Sequence, residues 1–325
     1  MRVAYFGTPA PAVPSLRALL AADDVEVAAV ITNPDRPSGR GHRLSAPPVK
    51  VLAQEAGVPV WQPERPRAVL DDLRRLQVDA CAVVAYGAIL PQDVLDAGGA
   101  GFVNLHFSLL PRWRGAAPVQ HSILAGDAEV GVTCFVLEAG MDTGPVLLRR
   151  ATPLGERETA GELMARLADL GAPLLVQAAR ALVDDSVTPQ PQDHDAATLA
   201  PKVSPDDARI DWRSSAAAVD RAVRAFNPVP GAHTTFRGQR LKIHRVRPSA
   251  GGDGHPSGEP GAVIGAVDGL PLVLCGHGTT VLLEEVQPAG KPRMAGADFA
   301  NGHRPQGAVL GADAPAGTVS SGPPA

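Results

Sequence analysis

Two short runs carry side chains suited to acyl chemistry. In Phe102-Val-Asn104-Leu-His106-Phe-Ser108-Leu-Leu-Pro111, an amide and an imidazole stand two residues apart in an apolar run. On a strand that spacing puts both side chains on one face. Ser108 and Pro111 then end the strand. In Glu138-Ala-Gly140-Met-Asp142-Thr-Gly144-Pro, two glycines bracket Asp142 and allow a tight loop that presents its carboxylate. Either run alone also reads as something ordinary, a strand end capping nearby backbone or an aspartate in a turn. Together they supply an amide to stabilise a developing oxyanion, an imidazole to move a proton, and a carboxylate to orient the imidazole. No Gly-x-Ser-x-Gly elbow occurs, so the nucleophile is expected to arrive with the substrate. No third ligand stands at metal spacing, and no metal is expected.

The elements that would position these groups alternate. Strand-like runs cover Val3–Phe6, Val25–Thr32, Ala80–Ala85, Phe102–Phe107 and Val130–Leu137. Helix-like segments cover Val13–Ala22, Val49–Ala56, Arg67–Leu76 and Ala116–Ala125, and Thr159–Asp184 reads as two helices or one kinked at Gly171 and Pro173. Alternation of this kind predicts an α/β domain with a parallel sheet covered on both faces. Ligands of such sheets bind beyond the carboxyl ends of the strands, where Asn104, His106 and Asp142 are expected. The first turn, Gly7-Thr8-Pro9-Ala10-Pro11, lacks the glycine pattern and the N–H donors of a dinucleotide site, and no P-loop motif occurs.

The chain has 325 residues, 45% hydrophobic and 20% charged, enough for two domains. Its formal net charge of −4 excludes a basic coat protein, so a polyanion would need a local patch. Two patches stand out. Pro34–Lys50 carries Arg36, Arg40, Arg43 and Lys50 against Asp35 alone, and its glycines and prolines predict a flexible loop. Arg237–Arg247 holds five basic residues and no acid, with Arg240, Lys242 and His244 on one strand face and Leu241 and Ile243 on the other; Arg245 follows. Cys81, Cys134 and Cys275 are scattered, without metal or disulfide spacing. The longest uncharged apolar stretch, Ala80–Leu90, falls far short of the roughly 18 residues that span a bilayer. A cytoplasmic protein with no membrane partner is expected. The Pro-rich run Val187–Pro205 suggests an interdomain linker, and short strands beyond it suggest a small antiparallel barrel. The expected boundaries are a domain over 1–188, a linker over 189–206, a barrel over 207–308 and a frayed tail over 309–325.

The runs FVNLHFSLLPRWRGAAPVQHSILAGD and GVTCFVLEAGMDTGPVL strongly resemble the folate-dependent formyltransferases. GTPAPAVPSL, NPDRPSGRGHRLSAPPVK, AFNPVPGA and QPAGKPRM extend the resemblance to about residue 300 and narrow it to the branch acting on a charged tRNA. Pro11 and Val229 depart from the family's usual residues, outside the catalytic run. The resemblance implies a Rossmann-like formyltransferase domain followed by an OB-like β-barrel. It implies Asn104, His106 and Asp142 as the catalytic trio. Ser108, Leu109, Leu110 and Pro111 would hold the folate, with Tyr86, Gly87, Ile89 and Leu90 as pocket wall and Leu137, Ala139 and Gly140 opposite. The donor would be 10-formyltetrahydrofolate and the acceptor the α-amino group of initiator methionyl-tRNA, gripped by Arg36, Arg40, Arg43, Lys50, Arg240, Lys242 and Arg245. A monomer suffices for this. Rival readings are a formyltransferase acting on a small amine, a deformylase with water as acceptor, and a non-catalytic RNA-binding relative.

Overall fold

A computed structural model describes residues 1–38, 43–249 and 258–312, with only the backbone at Ser38 and Arg43. The chain divides into two compact units. One comprises Met1–Ser122, Asp127–Leu154 and Glu162–Lys202; the other comprises Ile123–Gly126, Gly155–Gly161 and the chain from Val203 on.

The first unit is built on strands β1 (Arg2–Gly7), β2 (Glu26–Ile31), β3 (Arg36–Ser38), β4 (Arg43–Ser45), β5 (Val60–Trp61), β6 (Ala80–Val84), β7 (Phe102–His106), β8 (Glu129–Val136) and β9 (Val146–Pro153). Its helices are α1 (Val13–Leu20), α2 (Pro48–Glu55), α3 (Leu70–Leu76), α4 (Gln92–Leu95), α5 (Pro118–Ala125) and α6 (Ala160–Val183). The main sheet has the order β5-β2-β1-β6-β7-β8-β9. From β5 to β7 all pairings are parallel. β1, β2 and β6 are buried along nearly their whole length, as strands covered on both faces must be.

Three features depart from expectation. β8 runs antiparallel to β7, with Val103 opposite Val136 and His106 opposite Thr133. The carboxyl end of β8 therefore lies beside the start of β7, and the chain must double back for Asp142 to reach His106. β9, antiparallel to β8, had no clear signal, because half of its residues are exposed at the sheet edge. α6 is one continuous helix. Pro173 is accommodated on its exposed side, and Gly171 lets the helix meet β7: a Cβ there would stand 2.7 Å from a Leu105 methyl.

The second unit contains α7 (Ala216–Ala225), then strands β10 (His233–Phe236), β11 (Gln239–Ser249), β12 (Val263–Val267), β13 (Leu270–Leu274), β14 (Thr280–Pro288) and β15 (Met294–Ala295), and α8 (Gly296–His303). The order β10-β11-β14-β13-β12 is antiparallel throughout, with β15 on β14. Val219, Val223 and Phe226 of the α7 region pack into one core with Leu241, Ile243, Val281 and Leu283. Ser215 caps α7, its side chain accepting from Ala218 N–H. No helix among the described residues is long and apolar enough to cross a membrane.

Candidate active site

β7 carries Asn104 and His106. Asn104 is half-buried and His106 is 6% exposed at the strand's end. The His106 ring lies edge-on to Phe135, with ring centres 6.4 Å apart. Its Nε2 is 2.8 Å from the Trp113 carbonyl, which can only accept, so Nε2 carries a proton. Nδ1 lies 3.7 Å from Oδ2 of Asp142. In the neutral imidazole Nδ1 is therefore the lone-pair nitrogen, and it faces a carboxylate across a gap that one proton would close. Burial lowers the affinity of His106 for a proton; the Asp142 charge and the bond to Trp113 oppose that but do not cancel it.

Asp142 is held from two directions. Its Oδ2 accepts from Gly115 N–H at 2.7 Å. Its backbone carbonyl accepts from the Gln192 amide at 2.9 Å. The residue adopts a left-handed φ of +54°, which a non-glycine residue takes only where its surroundings impose it. Gly144 ends the loop where a Cβ would lie 1.8 Å from the Val136 carbonyl, so only glycine fits.

The segments that follow β1, β2 and β6 are tied together by hydrogen bonds. Thr8 follows β1, Asn33 follows β2 and Tyr86 follows β6. The Tyr86 carbonyl accepts from Asn33 Nδ2 at 2.9 Å and from Thr8 Oγ1 at 3.2 Å. Chain order along the sheet reverses between β1 and β6, the usual position for a ligand. The expected folate residues divide by exposure. Tyr86, Leu90, Ser108 and Leu110 are buried, and Tyr86 and Leu90 belong to one core cluster against which Leu137 packs. Leu109, Pro111 and Leu137 are half-buried. Gly87, Ile89, Ala139 and Gly140 are exposed, with Ile89 at 89% and neighbouring Met141 at 59%. The exposed set is the part that could touch an apolar ligand, while the buried set shapes the loop beneath. Ser108 is committed: its hydroxyl donates to the Arg112 carbonyl at 2.6 Å, and its carbonyl accepts from Thr133. No group of three His, Cys, Asp or Glu side chains among the described residues could hold a metal.

The basic residues also separate. Pro34–Lys50 was expected to be a loop, yet it contains the β3–β4 hairpin, with Arg36 opposite Ser45. Arg36 is exposed. Arg40 lies outside the described residues, as does the Arg43 side chain. Lys50 is not a free cation. Its ammonium lies 2.9 Å from both Asp35 oxygens and 2.8 Å from the Gln62 amide oxygen, closing the root of the hairpin. That contact lowers the proton affinity of Asp35, through the Gln62 and Lys50 bonds first. In β11, Leu241 and Ile243 point inward while Arg240 is exposed and Lys242 half-buried, as alternation required. A register shift then places Arg245 opposite Glu285. Arg247 pairs with Glu284 at 3.1 Å. Arg240 and Lys242 have no carboxylate partner among the described residues.

Sequence reasoning missed the groups that hold His106 and Asp142. Gln192, Thr198 and Ala200 fall in the segment read as a linker, yet that segment is bonded into the first unit: Val146 bridges Gln190 and Arg114 bridges Leu199. Trp113, Arg114 and Gly115 stood inside a quoted run but had no assigned role.

This fold and site define a formyl-transferring enzyme. The model described as "Formyl transferase" matches residues 1–179, and that described as "Formyl transferase, C-terminal domain" matches 202–304. A protein of Streptomyces griseus named methionyl-tRNA formyltransferase is 46% identical over 314 residues, covering 96% of this chain and all of that one. One of the same name from Thermobifida fusca is 49% identical over 306 residues, covering 94% and 97%. The chain belongs to the methionyl-tRNA formyltransferase family. Its fold is also similar to HypX of Aquifex aeolicus solved in complex with tetrahydrofolic acid, with a TM-score of 0.61 at 18% identity over 93% of this chain; this chain spans 48% of that longer one.

Proposed function

We propose that this chain formylates the α-amino group of initiator methionyl-tRNA, with 10-formyltetrahydrofolate as the donor. The observation that carries the reading is the 3.7 Å approach of His106 Nδ1 to Asp142, on the strand face that also bears Asn104. The donor supplies an electrophilic formyl carbon and needs no activation by metal. Asn104 donates to the formyl oxygen as negative charge develops there, which is worth about 3–4 kcal/mol of barrier for one such donor. His106 accepts a proton from the attacking amine at Nδ1. Asp142 then stabilises the imidazolium until the proton passes to the departing folate nitrogen. One proton leaves the amine and one reaches the leaving group, so the charge balances. His106 is suited to begin neutral, because its burial holds it below the ordinary imidazole range.

Gly87, Ile89, Ala139 and Gly140 are proposed as the exposed folate wall, with Leu109, Pro111 and Leu137 at its edge. Ser108, Leu110, Tyr86 and Leu90 shape that wall from within. The first unit acts as the catalytic domain. The second holds tRNA through Arg240 and Lys242, joined by Arg36 on the hairpin and, in this proposal, by Arg40, Arg43 and Arg245. Lys50 serves as the hairpin's fastener. The enzyme is proposed to act as a cytoplasmic monomer.

The test offers the purified protein three acceptors with 10-formyltetrahydrofolate: charged initiator tRNA, glycinamide ribonucleotide and an amino sugar. Formylation of the charged tRNA is expected. Formylation of a small amine with none on tRNA would overturn the reading, and formate release without any acceptor would point to deformylation.

A further inference from the structure

The strap from Gln190 to Ala200 connects the sheet of the first unit to the rest of the chain, and its hydrogen bonds converge on one tripeptide. Trp113, Arg114 and Gly115 touch both members of the His106–Asp142 pair. The Trp113 carbonyl holds His106 Nε2, and Gly115 N–H holds Asp142 Oδ2. The strap grips this tripeptide through three further backbone groups, Trp113 N–H, Arg114 N–H and the Arg114 carbonyl. Thr198 Oγ1 accepts from Trp113 N–H at 2.9 Å. The Thr198 carbonyl accepts from Arg114 N–H at 2.8 Å, and Ala200 N–H donates to the Arg114 carbonyl at 2.8 Å. The fit is close: a Cβ on Gly115 would stand 2.7 Å from the Ala200 carbonyl.

Gln192 completes the frame. It is 7% exposed, and its amide is fully used. Its oxygen accepts from Arg114 Nη2 at 2.8 Å and Nε at 3.1 Å. Its nitrogen donates to the carbonyls of Asp142 at 2.9 Å and Gly144 at 2.7 Å. A guanidinium only donates and a carbonyl only accepts, so the orientation of the amide is dictated by its partners. Among side chains of this length only glutamine can accept on one side and donate twice on the other. Glutamate would set oxygen against two carbonyls, and leucine would leave four buried groups unpaired. Arg114 is itself 6% exposed and has no carboxylate partner among the described residues; its guanidinium also lies 3.3 Å from His194 Nδ1.

We propose that Gln192 is a positioning residue: through Arg114 on one side and the Asp142 loop on the other, it sets the distance between the Asp142 carboxylate and His106. The proposal rests on the catalytic reading above. The sheet holds only the two ends of the loop that doubles back from β8, Leu137 N–H donating to the Phe102 carbonyl and Val136 N–H to the Pro145 carbonyl; the left-handed Asp142 between them has no hydrogen bond to a sheet strand among the described residues. The strap holds it. Reactive groups displaced by about 1 Å can lose about 100-fold in rate, whereas binding surfaces elsewhere are untouched.

The experiment measures kcat, KM for each substrate and the pH profile for Gln192→Glu and Gln192→Leu, beside His106→Ala. Gln192→Glu keeps a bond to Arg114 and so keeps the fold, but replaces both donors to the Asp142 loop. It is expected to lower kcat about 10–100-fold with both KM values within about twofold of wild type. The acid limb of its profile should move to lower pH, because His106 loses the opposing carboxylate. Wild-type kcat in both Gln192 variants, with His106→Ala inactive, overturns this proposal alone. Wild-type turnover in His106→Ala overturns the catalytic reading instead. Should neither Gln192 variant fold, Thr198→Val removes only the acceptor for Trp113 N–H. A loss of about threefold or more in kcat supports the strap, and an unchanged kcat overturns it.

Discussion

The surroundings of His106 and the outer face of β11 are both polar, and they are built in opposite ways. Around His106 nearly every donor and acceptor is spent on the protein: Trp113, Gly115, Gln192, Arg114 and Thr198 form one closed set. On β11 the useful cations, Arg240 and Lys242, have no carboxylate partner among the described residues. Catalysis needs groups fixed to fractions of an ångström, and buried, saturated hydrogen bonds fix them. A phosphate backbone needs charge that can shed counterions, and that requires solvent. Lys50 shows that residue type alone does not decide between the two. It has the same charge as Lys242, yet its ammonium is closed off by Asp35 and Gln62.

The largest expected effect tests the rigid side. His106→Ala should lower kcat by about 100- to 10,000-fold with tRNA affinity nearly unchanged, as filter binding and single-turnover formylation would measure. Equal losses in both would erase the contrast between the two surfaces. Gly115→Ala should cost about 1–3 kcal/mol of stability, visible in chemical denaturation, because its φ is +122° and a Cβ meets the Ala200 carbonyl. A neutral result there would show the strap to be pliable.

The pH dependence sharpens the same side. The unfolded chain binds a proton at His106 below about pH 6.5, whereas the folded chain resists it. Stability should therefore fall as pH drops below about 6.5, and the acid limb of kcat/KM should lie below that value too. His106→Asn should remove this part of the stability slope. The smallest effects belong to the cationic face. Arg240→Ala and Lys242→Ala should each reduce the slope of log affinity against log salt by about 1, without touching kcat at saturating tRNA. Lys50→Met should leave that slope alone and lower thermal stability; a drop in salt slope would return Lys50 to the RNA-facing set.

Legibility in the sequence followed the range of the interactions. β1, β2, β6 and β7 were readable because strands buried on both faces are continuous apolar runs. Asn104 and His106 were placed on one face by the two-residue period. Arg240 and Lys242 opposite Leu241 and Ile243 came from that period as well. β9 was not readable, since an edge strand with exposed Arg149 and Arg150 carries little apolar pattern. The β3–β4 hairpin was hidden among prolines and glycines. Gln192 was hidden by composition: Pro, Asp and Thr around it look like a tether, and its three partner residues, Arg114, Asp142 and Gly144, lie between 48 and 78 residues away in the chain.

The sequence by itself determined the buried strands β1, β2, β6 and β7, the residue types of the proposed trio and the local excess of positive charge, because these depend on periods and neighbours a few residues apart. Only the tertiary structure decided that β8 reverses against β7, that Asp142 returns to His106 on a doubled-back loop, and that Lys50 is paired with Asp35. Those outcomes depend on which distant groups are brought within about 3 Å of one another, where hydrogen bonds form and charges cancel.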